Sequence, residues 1–115
     1  MIIASIQMYS TGDKERNLQT MEKYLEHINK AFPNIKMVVF PELAAHGSIS
    51  NMRKEAEVIP GELTSIFSNM ANKYNLWLIP GSIYEKSDNE IFNTTPVFSS
   101  GGDLLGKYRK RYPWR

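Results

Sequence analysis

A chain of 115 residues suits one domain and is too short for two ordinary ones. With 42% hydrophobic and 23% charged residues it is globular in composition, and no apolar run approaches the roughly 20 residues of a membrane-spanning helix. There is no cysteine, which excludes disulfides, thiolate-bound zinc, iron–sulfur clusters and a cysteine nucleophile within these residues.

The first residues, Met1-Ile2-Ile3-Ala4-Ser5-Ile6-Gln7, lack the basic start of a secretory signal and break their apolar run at Gln7, so a cytoplasmic location is expected. Residues 2–8 read as a buried strand. Thr11-Gly12-Asp13 supplies turn and helix-capping chemistry. Leu18, Met21, Leu25, Ile28 and Phe32 then recur at helical spacing, with charged residues on the other faces, until Pro33-Asn34 ends the helix. The β-branched run at 35–40 is a second strand, closed by Pro41. Residues 42–59 show little pattern and read as a loop. Pro60-Gly61-Glu62 opens a second amphipathic helix that buries Leu63, Ile66, Phe67, Met70, Ala71 and Tyr74 and ends at Asn75. A third strand is expected at 76–84 and a fourth at 91–99. Gly101-Gly102-Asp103 turns into a fifth at 104–108. The order β-α-β-α-β followed by a hairpin predicts an α/β fold, with parallel strands joined by right-handed crossovers and antiparallel strands added at one side.

Charge is uneven along this order. Five of the 14 basic residues, Lys107, Arg109, Lys110, Arg111 and Arg115, fall in the last nine positions, leaving nine against twelve acidic residues in the body. The body therefore gives no case for a nucleic-acid surface. The tail mixes cations with Tyr108, Tyr112 and Trp114. That mixture suits phosphate or base contacts, or equally a terminal strand whose cations face solvent. In a catalytic reading, one lysine turns inward to stabilise an oxyanion.

Glu42 is the most informative single residue. It lies just beyond the carboxyl end of an apolar strand, the edge at which ligands bind in open α/β sheets. Partial desolvation there would raise its pKa and suit it to general-base work, whereas a solvated loop carboxylate would do neither. His27 lies on the charged side of the first helix. His46 follows Glu42 closely enough to line a pocket, and two distant histidines give no metal-ligand spacing. No phosphate-binding loop pattern is present.

Taken together, Ala4-Ser5-Ile6-Gln7, Asn17-Leu18, Val39-Phe40-Pro41-Glu42-Leu43 with Gly47, and Pro60-Gly61 resemble the nitrilase superfamily of carbon–nitrogen hydrolases. The match continues through Pro80-Gly81-Ser82-Ile83-Tyr84-Glu85, Asn93-Thr94, and Gly102, Leu104 and Gly106-Lys107-Tyr108-Arg109-Lys110. Arg111-Tyr112-Pro113-Trp114 looks more like the amidase branches than a nitrilase proper. The resemblance implies a Glu-Lys-Cys triad in which the general base falls on Glu42 and the lysine, last of Tyr-Arg-Lys, on Lys110 rather than Lys107. It implies thioester-mediated cleavage of non-peptide amides, and neither metal nor organic cofactor. It also implies the first half of a four-layer α-β-β-α sandwich, so residues 1–115 read as one truncated domain with a mixed sheet and two main helices. The family's cysteine lies beyond its lysine and is missing here, so the chain is expected to be inactive alone.

The implied partners are a small-molecule amide once the site is completed, and either a missing C-terminal half or further copies of the chain. Neither nucleic acid nor membrane is expected. The competing readings are a non-catalytic binding or assembly module and a small polyanion-binding protein that uses its basic tail.

Overall fold

A computed structural model of the protein describes residues 1–47 and 52–113. Strand β1 (Ile2–Ser5) leads through a turn to helix α1 (Lys14–Ala31), where the Asp13 carboxylate accepts the N–H of Arg16 and so satisfies one of the free donors of the first turn. Strand β2 (Ile35–Val39) follows, then the short helix α2 (Met52–Glu55) and helix α3 (Glu62–Tyr74). Gly61, at the start of α3, has no side chain to cap with. Glu57 takes over that role, its carboxylate accepting the N–H of Leu63 at 2.9 Å. Asn75 closes α3 in the left-handed conformation that Asn tolerates best after Gly.

The chain then forms β3 (Trp77–Ile79), β4 (Ile83–Ser87), β5 (Glu90–Phe98) and β6 (Leu104–Arg109). Among the described residues these make one six-stranded mixed sheet. Strands β1, β2 and β3 are parallel neighbours. The long β5 is antiparallel to β3, at the single pair Leu78–Phe98, to β4 and to β6. The expected α/β order is thus present, with four differences of detail. The first strand is shorter than 2–8. The strand expected at 76–84 is two strands interrupted at Pro80-Gly81-Ser82. The loop at 42–59 contains α2, and Glu57 pairs with Glu85 as an isolated bridge. Phe32, expected on the buried stripe of α1, is instead its exposed C-cap.

The two main helices lie on one face of the sheet. Met21, Leu25 and Ile28 of α1 and Leu63, Phe67 and Met70 of α3 join Val38, Leu78, Ile83 and Phe98 of the sheet in a single buried core. Strand residues alternate faces, so the neighbours of these buried positions point away from the helices. Met37 and Val39 on β2 sit beside Trp77 and Ile79 on β3, and Ile3 on β1 sits beside Met37. With Val97 they form an apolar face that no described helix covers; Ile3 remains 54% exposed and the others are half-buried.

Candidate active site

Glu42 is placed by the two strand ends on either side of it. The N–H of Phe40 donates to the carbonyl of Ile79, which continues the β2–β3 pairing up to Pro41. The chain then turns sharply. Leu43 takes a positive φ of 53°, unusual for a branched side chain, and its N–H donates to the Ser82 hydroxyl at 3.0 Å. Gly81 makes this contact possible. It has φ +82°, and a β-carbon there would lie 2.0 Å from the Pro41 carbonyl oxygen. The interruption between β3 and β4 is therefore the place where the Glu42 turn seats.

The far side of the turn is tied to the start of the chain. The buried Asn17 side chain donates to the carbonyls of Thr11 and Ala45, both at 2.8 Å, and accepts the Thr11 N–H at 2.7 Å. Ser10 donates to the carbonyl of Ala44 at 2.9 Å.

Lys110 meets this turn from the end of β6. Its ammonium donates to the Glu42 carboxylate at 2.7 Å, and its backbone N–H donates to the carbonyl of Asn93 at 2.8 Å. The Asn93 side chain donates to the same carboxylate oxygen at 3.0 Å. The two residues singled out by sequence are brought together, at one end of the sheet and on its uncovered side. The carboxylate is only partly desolvated: the Glu42 side chain is 53% exposed. The expected upward shift is therefore corrected. The Lys110 hydrogen bond, opposed by partial burial and aided by Lys110's charge and Asn93, holds the Glu42 carboxyl below its ordinary value. Tyr84, cross-strand from Asn93, feels both burial and the Glu42 charge, which raise its pKa.

On the opposite, helix-covered side of the same three strands lies a second constellation. Glu85 is 1% exposed. Its carboxylate accepts from the Arg109 guanidinium at 2.8 and 3.1 Å, from the Thr94 hydroxyl at 2.8 Å and from the Lys107 ammonium. Burial alone would raise its pKa, but these donors together hold it down at about 2. The guanidinium also lies 4.1 Å from the centre of the Phe92 ring. The tail's cations thus do not simply face solvent: Lys107, Arg109 and Lys110 are all paired with carboxylates. Trp114 and Arg115 fall outside the described residues.

Sequence reasoning missed the roles of Asn93 and Glu85. The available signal was parity: Ile83 and Glu85 share a strand face, as do Lys107 and Arg109. Of the histidines, His27 is exposed, whereas His46 is buried against the Tyr84 ring at 5.2 Å and its pKa is lowered, chiefly by that burial. Among the described residues no group of three His, Asp or Glu could hold a metal, and no helix is long and apolar enough to cross a membrane.

A carboxylate and an ammonium in contact beside an open face can together move a proton and stabilise an oxyanion. The class this fold defines is that of the carbon–nitrogen hydrolases. The family model for carbon–nitrogen hydrolase matches residues 2–115, and the chain belongs to that family, within the nitrilase superfamily. It is 38% identical to the omega-amidase NIT3 of Saccharomyces cerevisiae, over 88% of this chain and 37% of that protein. It is 34% identical to the human omega-amidase NIT2, over 94% of this chain and 39% of that one. The crystal structure of S. cerevisiae Nit3 superposes with a TM-score of 0.86 at 34% identity, covering 96% of this chain and 44% of the other. The chain therefore spans about two fifths of the length of these relatives.

Proposed function

We propose that this chain is the glutamate- and lysine-bearing part of a carbon–nitrogen hydrolase that cleaves small non-peptide amides through a thioester. The cysteine would come from a segment outside these 115 residues. The observation that carries this reading is the Glu42–Lys110 contact of 2.7 Å, made at the edge of the uncovered sheet face by residues from two separate strand ends. In the proposed cycle Glu42 takes the thiol proton as sulfur attacks the amide carbon. Lys110 donates to the oxyanion of the tetrahedral intermediate, and the amine leaves with the proton. Glu42 then takes a proton from the water that attacks the thioester; the C–S bond breaks, the acid is released and Glu42 returns the proton to the thiolate.

The pairing of Lys107, Arg109 and Lys110 with Glu85 and Glu42 favours this reading over a polyanion-binding tail, since three of its cations are already engaged by two carboxylates. The test is ammonia release from a panel of small primary amides by the chain alone and by the chain joined to the polypeptide encoded directly after Arg115. The chain alone is expected to be inactive, because losing a hydrolase nucleophile can cost about a millionfold in rate. The joined protein is expected to turn over and to lose turnover in Glu42→Gln and Lys110→Met. Turnover by the chain alone that Glu42→Gln abolishes would overturn the need for a thiol. Turnover by the joined protein that survives both substitutions would overturn the site.

A further inference from the structure

Strands β4, β5 and β6 each place one residue of the candidate site on the uncovered face and the adjacent residue on the covered face. On the uncovered face, Tyr84, Asn93 and Lys110 surround Glu42. On the covered face, Glu85, Thr94 and Arg109 are joined through the Glu85 carboxylate. We propose that Glu85 is a positioning residue, which holds the end of β6 against β5 so that Lys110 reaches Glu42. The inference rests on the Glu42–Lys110 pair being the working site.

The geometry supports this from three directions. First, β6 pairs only with β5 among the described strands, and that pairing stops at Thr94–Arg109. Beyond it, the bond from the Lys110 N–H to the Asn93 carbonyl is the last backbone hydrogen bond to the sheet among the described residues. Second, the guanidinium of Arg109 engages both carboxylate oxygens of Glu85. This two-point contact fixes the direction of the residue immediately before Lys110, which a single ammonium contact would not. Third, Glu85 is buried and carries its charge. A buried carboxylate with four donors resists displacement, since any motion of β6 strips its partners in an environment where an unpaired charge is costly. Lys107, two residues back on the same face, adds a further tether to the same acid.

The experiment follows the titration of the Glu42 carboxyl carbon by NMR in the 115-residue chain, with no substrate or activity required. Wild type is expected to titrate below the ordinary glutamate value. In Glu85→Gln the Glu42 midpoint is expected to rise by roughly half a unit, the shift expected when a solvent-screened partner at contact distance is lost. The sign is diagnostic. Removing the Glu85 charge, and freeing Arg109 and Lys107, acts through space to lower the Glu42 midpoint, so a rise reports loss of the hydrogen bonds that Lys110, and to a smaller extent Asn93, make to Glu42. Arg109→Lys, which preserves charge and loses the two-point contact, is expected to give a smaller rise, and it decides the matter if Glu85→Gln does not fold. A folded variant with lower thermal stability but an unmoved or lowered Glu42 midpoint would reduce Glu85 to a structural role and overturn the proposal. This outcome is distinguishable from failure of the catalytic reading, which would leave the Glu42 titration unaffected and show itself in the amide assay.

Discussion

Glu42 and Lys110 lie 68 positions apart in the chain and 2.7 Å apart in space. Neither is held by its own element alone: Glu42 sits past the end of β2 and Lys110 past the end of β6. Asn93 joins them, accepting the backbone N–H of one and donating its amide to the carboxylate of the other. The pair is solvent-accessible and so contributes little to stability as a salt bridge. What the pair offers is a protonated donor held next to an ionised carboxylate.

Loss of either partner should release the Glu42 pKa upward, and in a definite order. Lys110 is the largest cause of the depression and Asn93 a smaller one. Lys110→Met should therefore raise the midpoint more than Asn93→Ala. A carboxyl whose folded pKa is depressed contributes above its ordinary value and loses that contribution as pH falls, so the small stability cost of either substitution should be present at neutral pH and fade in acid. Side-chain NMR titration of the three proteins checks the order; equal midpoints in all three would refute it.

Glu85 should make the protein acid-labile. Its carboxyl is held at about 2 against an ordinary 4.5, so the linked stabilisation is fully present above pH 4.5 and is lost as pH falls toward 2. A displacement of that size corresponds to about 3 kcal/mol. Urea unfolding between pH 7 and pH 2.5 should show the decline, and Glu85→Gln, already destabilised at neutral pH by the loss of a buried charge partner, should show a flatter profile. A wild-type profile no steeper than that of Glu85→Gln would count against the assignment.

Gly81→Ala should damage the site from a distance. The backbone conformation alone costs about 1–3 kcal/mol with a side chain present, and the new methyl collides with the Pro41 carbonyl. The turn carrying Glu42 has to move to make room. The check is a lowered thermal midpoint together with a Glu42 titration shifted toward the ordinary value. A normal Glu42 midpoint in a destabilised Gly81→Ala protein would show that the turn is held elsewhere.

How much of this was legible in the sequence follows from the range of the interactions. The amphipathic faces of α1 and α3 depend on local spacing and were readable, as was Glu42 at the end of an apolar strand. Lys110 was identified by resemblance to a family motif; strand parity then explains why it and not Lys107 points at Glu42, since the two lie on opposite faces of β6. The interruption at Pro80-Gly81-Ser82 was not readable, because it answers to Pro41 and Leu43, some 40 positions earlier. Glu85 was obscured by its partners: cations near a chain's end read as a solvated run until a buried acid is found on the strand next to them. The direction of the Glu42 shift was misjudged because the strand before it is apolar, whereas the residue itself lies in the turn beyond, within reach of an ammonium.

Asn17→Leu should unfold the chain more readily by disconnecting its two ends of the turn. The wild-type side chain, itself buried, satisfies Thr11 and the Ala45 carbonyl, and leucine removes these bonds from the buried Ala45 carbonyl and the half-buried Thr11. At 1–3 kcal/mol for each unsatisfied buried group, a loss of about 3 kcal/mol is expected. Denaturant unfolding gives the value directly, and a loss below about 1 kcal/mol would mean that water enters to replace the amide.

The last expectation concerns the uncovered face of the sheet. Ile3, Met37, Val39, Trp77, Ile79 and Val97 line it, and the two main helices lie entirely on the other side. Soluble monomers usually keep contiguous apolar faces small, and this one runs across four strands. Burying it at about 25 cal/mol per Å² offsets much of the cost of association. In the longer relatives the rest of the polypeptide is available to cover it; for the 115-residue chain by itself, a two-fold dimer with sheet against sheet is the simplest closed arrangement. Sedimentation at low micromolar concentration should therefore find a dimer or larger species, and Val97→Lys, which places a charge at the β5 end of the face, should shift it toward monomer. Val97 lies on β5 away from Glu85 and its partners, so the substitution tests the face without disturbing that cluster. A folded wild-type chain that sediments strictly as a monomer would show that the face is stable in water, and would remove the argument for an associated state.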